Sequence, residues 1–559
     1  MNSYFEKYNS WKERKDLPKE LMDELILLGN NHESIKEAFG SELKFGTSGL
    51  RGIMGAGTNR LNVPVIERVT QGFSNYINKR FDEKKVLISY DSRINSEIFA
   101  KKTAAVLAAN GVEAYIFDEL TPVSVLSFVI REMEMDFGIM ITASHNPKEY
   151  NGYKVYNSKG GQILGKVAKD ILEEIQCVAM FDEIKTVDFD SAIDNGINYV
   201  PKEITDKFIM KTLDCSFETE GIEKLKVVYT PLNGAGLFYA KKIILYLGVE
   251  HLNIVSEQEE PDGNFPFCPK PNPEYKEVYE LGQKLMVSKN ADIMIATDPD
   301  CDRIGVALPD MVLTGNQLGV LLFDYICRKL GDDAVDKTGV RSIVSTPLFD
   351  EIARNYGVNV DTTLIGFKYI GEKMEDLGDD FIFGFEEGNG YLGVRHMRDK
   401  DGLSSAMFAC SMAAEYKAKR MDLKKALKNI NKKYGYFEEK VINYRFEGIA
   451  GNQRREKIME YLRGQIPKAI DQIDGVSITD YKVQKKYQYS AGVCEENSLP
   501  VANILEYDFG DGKKVIVRPS GTEPILKVYL FAKGKSKGQA QKEIEVMEAE
   551  ITRIVNEEQ

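Results

Sequence analysis

Three carboxylates at alternate positions, Asp298, Asp300 and Asp302, stand in the stretch ATDPDCDRIGV directly after an apolar run. Each ionised carboxylate raises the cost of ionising the next, and a bound cation is the simplest relief. A donor set made of oxygens suits a hard ion of the Mg²⁺ kind, with coordination positions left for a phosphate oxygen and water. Cys301 inside the cluster reads as a filler for the same reason. If Ala291 to Thr297 is a buried strand, extended backbone with two-residue spacing aims all three acids the same way, and Pro299 stiffens the loop. An EF-hand needs Gly at its sixth position and Glu at its twelfth, where this loop has Arg303 and Pro309, so that reading fails. An aspartyl phosphatase, with Asp298 attacked by phosphate and Asp300 as the acid, stays open on this segment alone. A plain solvated acidic turn fits poorly with the apolar run and the regular spacing.

Three further loops carry groups that suit the same chemistry. In TASHNPKEYNGYK, Ser144 follows the apolar GIMIT, so its hydroxyl emerges at a strand tip. Alone, such a serine is an ST-turn or a helix cap; aimed at a metal loop, it can carry a phosphoryl group. His145 taken alone reads as a structural hydrogen-bonder. GFEEGNGYL sets Glu386 and Glu387 after a buried-looking strand, where carboxylates accept hydrogen bonds from sugar hydroxyls, an ordinary charged turn being the alternative. RDKDGLSSA presents Lys400 just before a helix, where helix-start polarity is the plainer reading.

In VIVRPSGTEPILKVY, Arg518 offers a fork, Gly521 lets backbone N–H groups approach, and Ser520 and Thr522 add hydroxyls. Together they describe a phosphate cradle, with a simple hairpin turn as the competing reading. Neither a Walker A loop nor a strand-linked GxGxxG occurs, so a nucleotide partner has no support.

Such groups must be positioned by a repeated framework. From Lys85 the pattern reads strand (VLISY), helix (SEIFAKKTAAVLAANG), strand (EAYIF), helix (about Val123 to Met133) and strand (FGIMITAS). It returns as KVVYTPL, FYAKKIILYLG, HLNIV, a helix from about Tyr275 to Ser288 and ADIMIAT. A third round begins with a helix after Gly315 and continues through RSIVSTPL, LFDEIARNYG, VDTTLIG, a short helix and FIFGFE. Three βαβ-rich modules imply three layered α/β domains with parallel-rich sheets. Beyond about Gly435, strands NILEYDF and KVIVRPS flank the turn Gly510-Asp511-Gly512 and the last thirty residues or so read as an amphipathic helix, which suggests a fourth, α+β domain. The expected domains are 1–203, 204–313, 314–435 and 436–559. Ligands sit beyond the carboxyl ends of strands in open α/β sheets, and the modules end in ITASHNP, ATDPDCDR and FGFEEGNG. No low-complexity linker separates them, so they are expected to share a cleft.

Bulk properties narrow the class. A chain of 559 residues exceeds one core, and 43% hydrophobic with 28% charged residues is a globular composition. A net charge of -13 with pI near 5.2 argues against nucleic acid. No apolar run reaches a membrane span, and the start MNSYFEKYNSWKERKD lacks a signal peptide's apolar segment. Seven cysteines without a CxxC pair suit a reducing compartment, and a cytoplasmic location is expected.

TASHNP, DPDCDR, the EEGNG loop and RPSGT, in that order, resemble the α-D-phosphohexomutase superfamily, the phosphoglucomutases and phosphomannomutases. FGTSGLRG, from Phe45 to Gly52, looks like that family's opening motif, and the likeness runs roughly from Leu43 to Tyr529. TLIGFKYIGEKM and PDGNFPFCPKPNPE are similar to the long bacterial phospho-sugar mutases. The resemblance implies four domains around one cleft and a phosphoserine at Ser144. It implies Mg²⁺ held by Asp298, Asp300 and Asp302 together with the Ser144 phosphate, with Arg303 in the metal loop. It also implies sugar recognition through Glu386 and phosphate binding by Arg518, Ser520, Gly521 and Thr522. Arg51, Lys400 and His145 belong, by the same likeness, to the reacting centre.

The implied reaction is isomerisation of glucose 1-phosphate and glucose 6-phosphate through a 1,6-bisphosphate. Mannose or pentose phosphates, or bisphosphate synthesis, are the alternatives, in a monomer or dimer without nucleic-acid or membrane partners. One position departs: Gly388 stands where the family's sugar loop usually has Ser, which removes one hydroxyl, and Asn389 is the nearest side chain to fill that space.

Overall fold

The computed structural model describes residues 3–46, 49–82, 84–464, 477–488, 492–520 and 524–557. It is an α/β protein with several mixed sheets. The first sheet comprises β1 (Gly49–Ile53), β2 (Lys85–Tyr90), β3 (Glu113–Ile116), β4 (Phe137–Ile141), β5 (Tyr150–Asn157) and β6 (Ile197–Tyr199), in the order β1-β5-β4-β2-β3-β6. The strands β2, β3, β4 and β6 run parallel, while β5 runs antiparallel to both β4 and β1. β4 is buried along its whole length, as a strand covered on both faces must be. The helix Val63–Asn78 starts where Asn62 Oδ1 accepts from Val65 N at 3.0 Å, with Pro64 in its first turn, and buries Ile66, Val69, Phe73 and Ile77. Phe73, Leu107, Phe137 and Ile139 belong to the common core.

The second sheet repeats the plan with β7 (Lys226–Thr230), β8 (His251–Ile254), β9 (Ile293–Thr297), β10 (Ile304–Leu308) and β11 (Met311–Val312), ordered β11-β10-β9-β7-β8. Again β7 pairs parallel with β8 and β9, and β10 returns antiparallel to β9. The helix expected from Tyr275 to Ser288 is a 3₁₀ turn, Lys276–Tyr279, followed by an α-helix, Glu280–Lys289. In the third segment β12 (Thr338–Ser342) pairs parallel with β13 (Asn359–Thr363), and β14 (Phe381–Glu386) and β15 (Gly390–Leu392) follow. Only the first two residues of RSIVSTPL lie in a strand, because Ser345 N bonds back to Ser342 O and turns the chain.

The last segment holds β16 (Tyr436–Arg445), β17 (Ser477–Asp480), β18 (Lys485–Gln488), β19 (Val493–Glu496), β20 (Leu505–Asp508), β21 (Lys514–Pro519) and β22 (Ile525–Gly534). They form an antiparallel sheet ordered β16-β22-β21-β20-β17-β18-β19. The predicted final amphipathic helix is Lys537–Glu557, whose Ile544, Met547, Ile551 and Ile554 enter the core of this sheet.

Three N-terminal helices, Ser3–Lys12, Lys19–Leu28 and His32–Phe39, were not resolved by the sequence pattern. They enclose Tyr8, Trp11, Leu25, Ile35 and Phe39, and Glu24 Oε2 takes a hydrogen bond from Ala56 N at 2.8 Å in the loop after β1.

The chain divides into two compact units. The first comprises residues 1–318, 367–384 and 388–422, and the second 319–366, 385–387 and 423–559, so the expected third domain is shared between them. Among the described residues no helix is long and apolar enough to cross a membrane. All seven cysteines are free, four of them buried.

Candidate active site

Within the first unit, the loops that follow β4 and β9 converge. Both connect a parallel strand to an antiparallel return strand, so each is a tight turn at a sheet's carboxyl end. Asp298, Asp300 and Asp302 are fully buried, with one oxygen from each lying within 4.8 Å of the others. The extended alternation expected for them is not what aims them. The loop is a turn: Cys301 has φ 56°, and its N–H bonds to Asp298 O at 2.9 Å. Folding residues 298–302 back on themselves brings together oxygens that an extended strand would string out.

Neighbouring elements hold that turn. Ala235 N donates to Pro299 O at 2.8 Å, Val123 N to Asp300 O at 3.1 Å, and Gly402 N to Cys301 O at 3.0 Å. Gly402 begins the helix Gly402–Ala418 that Asp401 caps through Leu403 N and Ser404 N. A Cβ on Gly402 would stand 2.8 Å from Cys301 O, so the close approach requires glycine. The predicted helix start after Lys400 is thereby docked on the metal loop.

Ser144 is buried, and its Oγ donates to Asp298 Oδ2 at 2.8 Å. Ser144 Oγ also lies 3.1 Å from His145 Nδ1. Burial and the cationic Arg303 and Arg51 hold the His145 imidazole well below its ordinary value, so it is neutral at pH 7. Lys400 Nζ reaches Asp302 Oδ2 at 2.8 Å. Arg51, on β1, is exposed and donates to Asn146 Oδ1 at 3.1 Å. Arg303 donates its backbone N–H to Asp298 Oδ1 at 2.9 Å and its side chain to Glu274. Ser144, His145, the three aspartates, Arg51, Arg303 and Lys400 are thus brought together in one unit.

Lys154, at the end of the stretch TASHNPKEYNGYK and without a distinguishing sequence pattern, is a buried member of the same group. Its Nζ lies 2.9 Å from Asp300 Oδ2 and 3.7 Å from Asp302 Oδ2. It stands on the return strand β5, where a buried lysine needs an acidic partner.

The electrostatics of the nest divide the three acids. Burial, then the charges of Asp300 and Asp302, raise Asp298 well above the usual carboxylate range. Burial would raise Asp300 too, but Lys154 overrides it and holds that group below the usual range. Asp300 Oδ1 and Asp302 Oδ1 are buried without a hydrogen-bond donor. Carboxylate oxygens without donors, in a nest where the three acids bring oxygens within 4.8 Å of one another, fit a hard divalent cation.

Gly388 carries no positive φ, yet a Cβ there would stand 3.3 Å from Glu274 Oε1 and 3.4 Å from Arg303 Nη1. The space that a serine side chain would enter is bordered by this ion pair. Asn389 does not fill it: its Nδ2 donates to Ile304 O at 2.9 Å and its carbonyl accepts from Ile304 N at 3.1 Å. Asn389 is committed to holding the strand after the metal loop.

The second unit contains the other two candidate loops. Glu386 Oε1 accepts from Gly366 N at 2.8 Å, and Glu387 Oε2 from Ser342 Oγ at 3.2 Å. Arg518 Nη2 donates to Tyr529 OH at 3.3 Å. Burial and then the charges of Glu387 and Glu386, with Arg518 opposing, raise the Tyr529 phenol, so the glutamates and Arg518 share one neighbourhood. Ser520 follows β21, whereas Gly521 and Thr522 lie outside the described residues.

A strand-tip hydroxyl on a carboxylate nest, in a chain of layered α/β domains, defines a class that can bind a divalent cation and move a phosphoryl group beside it. The chain belongs to the phosphoglucomutase/phosphomannomutase family. Its alpha/beta/alpha domains I, II and III match residues 42–179, 206–311 and 314–434, and its C-terminal domain matches 456–549.

Among curated relatives, a phosphoglucomutase of Staphylococcus saprophyticus is 34% identical over 509 residues, covering 89% of this chain and 92% of that protein. A phosphoglucomutase of Staphylococcus aureus is 33% identical over 508 residues, covering 89% and 91%. The fold is similar to that of a Paramecium phosphoglucomutase, pp63/parafusin, with a TM-score of 0.72 at 19% identity over 92% of this chain and 95% of that one. It also resembles a phosphoglucomutase/phosphomannomutase family protein from Burkholderia thailandensis, with a TM-score of 0.69 at 18% identity over 92% and 98%.

Proposed function

We propose that this enzyme is a phosphoglucomutase, an isomerase that interconverts glucose 1-phosphate and glucose 6-phosphate through a phosphoserine at Ser144 and a glucose 1,6-bisphosphate intermediate. The 2.8 Å contact between Ser144 Oγ and Asp298 Oδ2 carries the reading, because it sets the transferable group beside the cation site. Phosphorylated Ser144 gives its phosphoryl group to the free sugar hydroxyl: the Oγ–P bond breaks as the sugar O–P bond forms, and the proton lost by the sugar hydroxyl ends on the released Ser144 Oγ. On the return leg Ser144 Oγ takes the other phosphoryl group of the bisphosphate as the sugar O–P bond at that end breaks. The Oγ proton, directed at Asp298 Oδ2 with His145 Nδ1 3.1 Å away, is given up, and the freed sugar oxygen takes up a proton.

Arg51, Lys154 and Lys400 supply positive charge where the transferred group gathers negative charge. Asp298, Asp300 and Asp302 hold Mg²⁺, which when bound offsets charge on the phosphoryl oxygens. Glu386 accepts from sugar hydroxyls, Gly388 and Arg303 are further substrate-binding positions, and Arg518, Ser520, Gly521 and Thr522 hold the phosphate that is not reacting. The enzyme works in the cytoplasm as a monomer or dimer.

The aspartyl phosphatase reading is disfavoured by the same geometry. Asp298 Oδ2 accepts the Ser144 hydroxyl and Oδ1 accepts Arg303 N, so the oxygen beside the cation site that is placed to take a phosphoryl group is Ser144 Oγ. A coupled assay with glucose, mannose, glucosamine and ribose 1-phosphates, each with a trace of its bisphosphate, tests the proposal. Isomerisation fastest with glucose supports it; net phosphate release without isomerisation rejects it.

Two further outcomes follow from the site. Arg518→Ala is expected to raise KM for the sugar phosphate by about tenfold or more, at the cost of a charge-assisted contact, with a smaller change in kcat. An unchanged KM removes Arg518 from the cradle. Because burial and the neighbouring carboxylates raise Asp298 in the metal-free protein, it keeps its proton to higher pH than a free carboxylate, and the cation must displace that proton where it is held. Mg²⁺ binding therefore tightens as pH rises, by up to about tenfold per unit below the raised value. Calorimetry in buffers of different ionisation enthalpy is expected to show proton release, and pH-independent affinity contradicts the assignment.

A further inference from the structure

We propose that Asp91, Arg93 and Thr142 are positioning residues that lock Ser144 in its transfer geometry, an inference that rests on the mutase reading above. Ser144 has φ 54°, a left-handed conformation that a residue with a Cβ adopts only when its surroundings impose it. What imposes it is a relay of buried polar groups. Ser144 N donates to Thr142 Oγ1 at 2.7 Å, and Thr142 Oγ1 donates to Asp91 Oδ2 at 2.6 Å. A hydroxyl has one proton. Asp91 at 2.6 Å takes it in preference to Asp300 Oδ2 at 3.2 Å, which leaves a Thr142 lone pair for Ser144 N.

Asp91 is itself fixed. Its Oδ1 accepts from Ser96 Oγ at 2.7 Å and from Arg93 N at 3.0 Å, and Arg93 Nε lies 3.3 Å from its Oδ2.

Arg93 completes the lock from the carbonyl side. Its side chain is fully buried, and its Nη2 donates to Ser144 O at 2.5 Å and also to Asn146 O. Its Nη1 donates to Pro147 O at 2.9 Å and Tyr150 O at 3.0 Å. One guanidinium thus gathers four carbonyls of the segment from Ser144 to Tyr150. The Phe265 ring, 5.1 Å from the guanidinium carbon, closes over it. Only a planar fork can serve four acceptors at once, a task that a lysine ammonium cannot reproduce. The amide of Ser144 is fixed by Thr142 and its carbonyl by Arg93, so the one remaining freedom is the χ1 rotation that aims Oγ.

The test is the rate at which Ser144 takes a phosphoryl group from glucose 1,6-bisphosphate in a single turnover, read by intact mass, together with kcat, KM and Tm. Thr142→Val keeps the shape and removes both hydrogen bonds. It is expected to slow phosphorylation and kcat by about 10- to 100-fold with KM within about threefold, since misplacement costs rate more than binding. Thr142→Ser, which keeps the hydroxyl, restores both to within about threefold of the parent. Arg93→Lys is expected to lower kcat similarly with KM within about threefold, and to lower Tm as well because buried carbonyls lose donors.

Parent-like phosphorylation in Thr142→Val, or a Thr142→Ser as slow as Thr142→Val, overturns the proposal. Should Thr142→Val fail to fold, parent-like kcat in Arg93→Lys overturns it equally. A parent enzyme that takes no phosphoryl group from the bisphosphate rejects the mutase reading and this proposal with it. A parent that does, alongside an equally fast Thr142→Val, rejects this proposal alone.

Discussion

Ser144→Ala is expected to abolish isomerisation, with kcat falling on the order of 10⁴-fold or more, because the atom that carries the phosphoryl group between the two sugar positions is gone. The cation site and the flanking lysines remain in that variant, so it isolates the covalent role from electrostatic stabilisation. The structural cost is small: one hydroxyl leaves Asp298 Oδ2, worth about 1 kcal/mol, and the left-handed backbone is still held through Thr142 and Arg93. Steady-state assays on protein purified free of host mutase, with circular dichroism to confirm folding, decide the matter. Near-parental turnover sinks the assignment, as does net phosphatase activity that depends on Asp298 and ignores Ser144.

Asp298→Asn is expected to produce two opposite effects, a loss of turnover by about a hundredfold or more and a gain in stability of the metal-free protein. Burial and the neighbouring carboxylates raise the folded-state value of Asp298 above its unfolded value. The native state therefore holds a proton that the unfolded chain has already released. Stability is lost as pH climbs from the ordinary carboxylate value through the raised one. Asparagine has the same shape and no charge to bury, so at pH 7.5 in chelator the variant melts higher, by about 1 °C for each kcal/mol relieved in a unit of this size. Below about pH 4, where the parent carboxyl is protonated in both states, the difference vanishes. Added Mg²⁺ stabilises the parent by binding and leaves the variant where it was. A variant that melts lower than the parent in chelator contradicts this account of the nest.

The contrast between the two substitutions also explains why the site is built from groups that oppose folding. Three buried carboxylates offset by two lysines are poor material for stability, but they leave oxygens without donors for a cation to claim. The chain tolerates this cost because the loop is anchored through its backbone: Asp298, Pro299, Asp300 and Cys301 each give a carbonyl to a neighbouring element or turn.

Much of this was legible in the residues. The apolar runs of β2, β4, β7 and β9 announced buried strands, and the loops at their carboxyl ends announced the site, since charged groups after a buried strand need a reason to be there. Spacing alone, however, misjudged how Asp298, Asp300 and Asp302 converge. It assumed an extended chain, whereas the positive φ at Cys301 makes a turn, and a single residue's conformation is not written in a period-two pattern. Asn389 looked like a substitute hydrogen-bonder for the missing serine because it is adjacent in sequence; its amide is spent on Ile304 across the loop. Lys154, Asp91, Arg93 and Thr142 gave no signal in the sequence because each has a deciding partner between 51 and 158 residues away along the chain.

By itself, then, the order of residues determined which elements form and which chemical types stand at their ends, because local periodicity and turn chemistry act over a few residues. Only the tertiary structure decided which of those ends meet. Ser144 reaches Asp298 across 154 residues, and that contact exists because two separate sheets, each with an antiparallel return strand, are held together by backbone bonds such as that from Val123 N to Asp300 O. Long-range pairing of this kind depends on shape and burial summed over whole layers, which no short stretch of sequence contains.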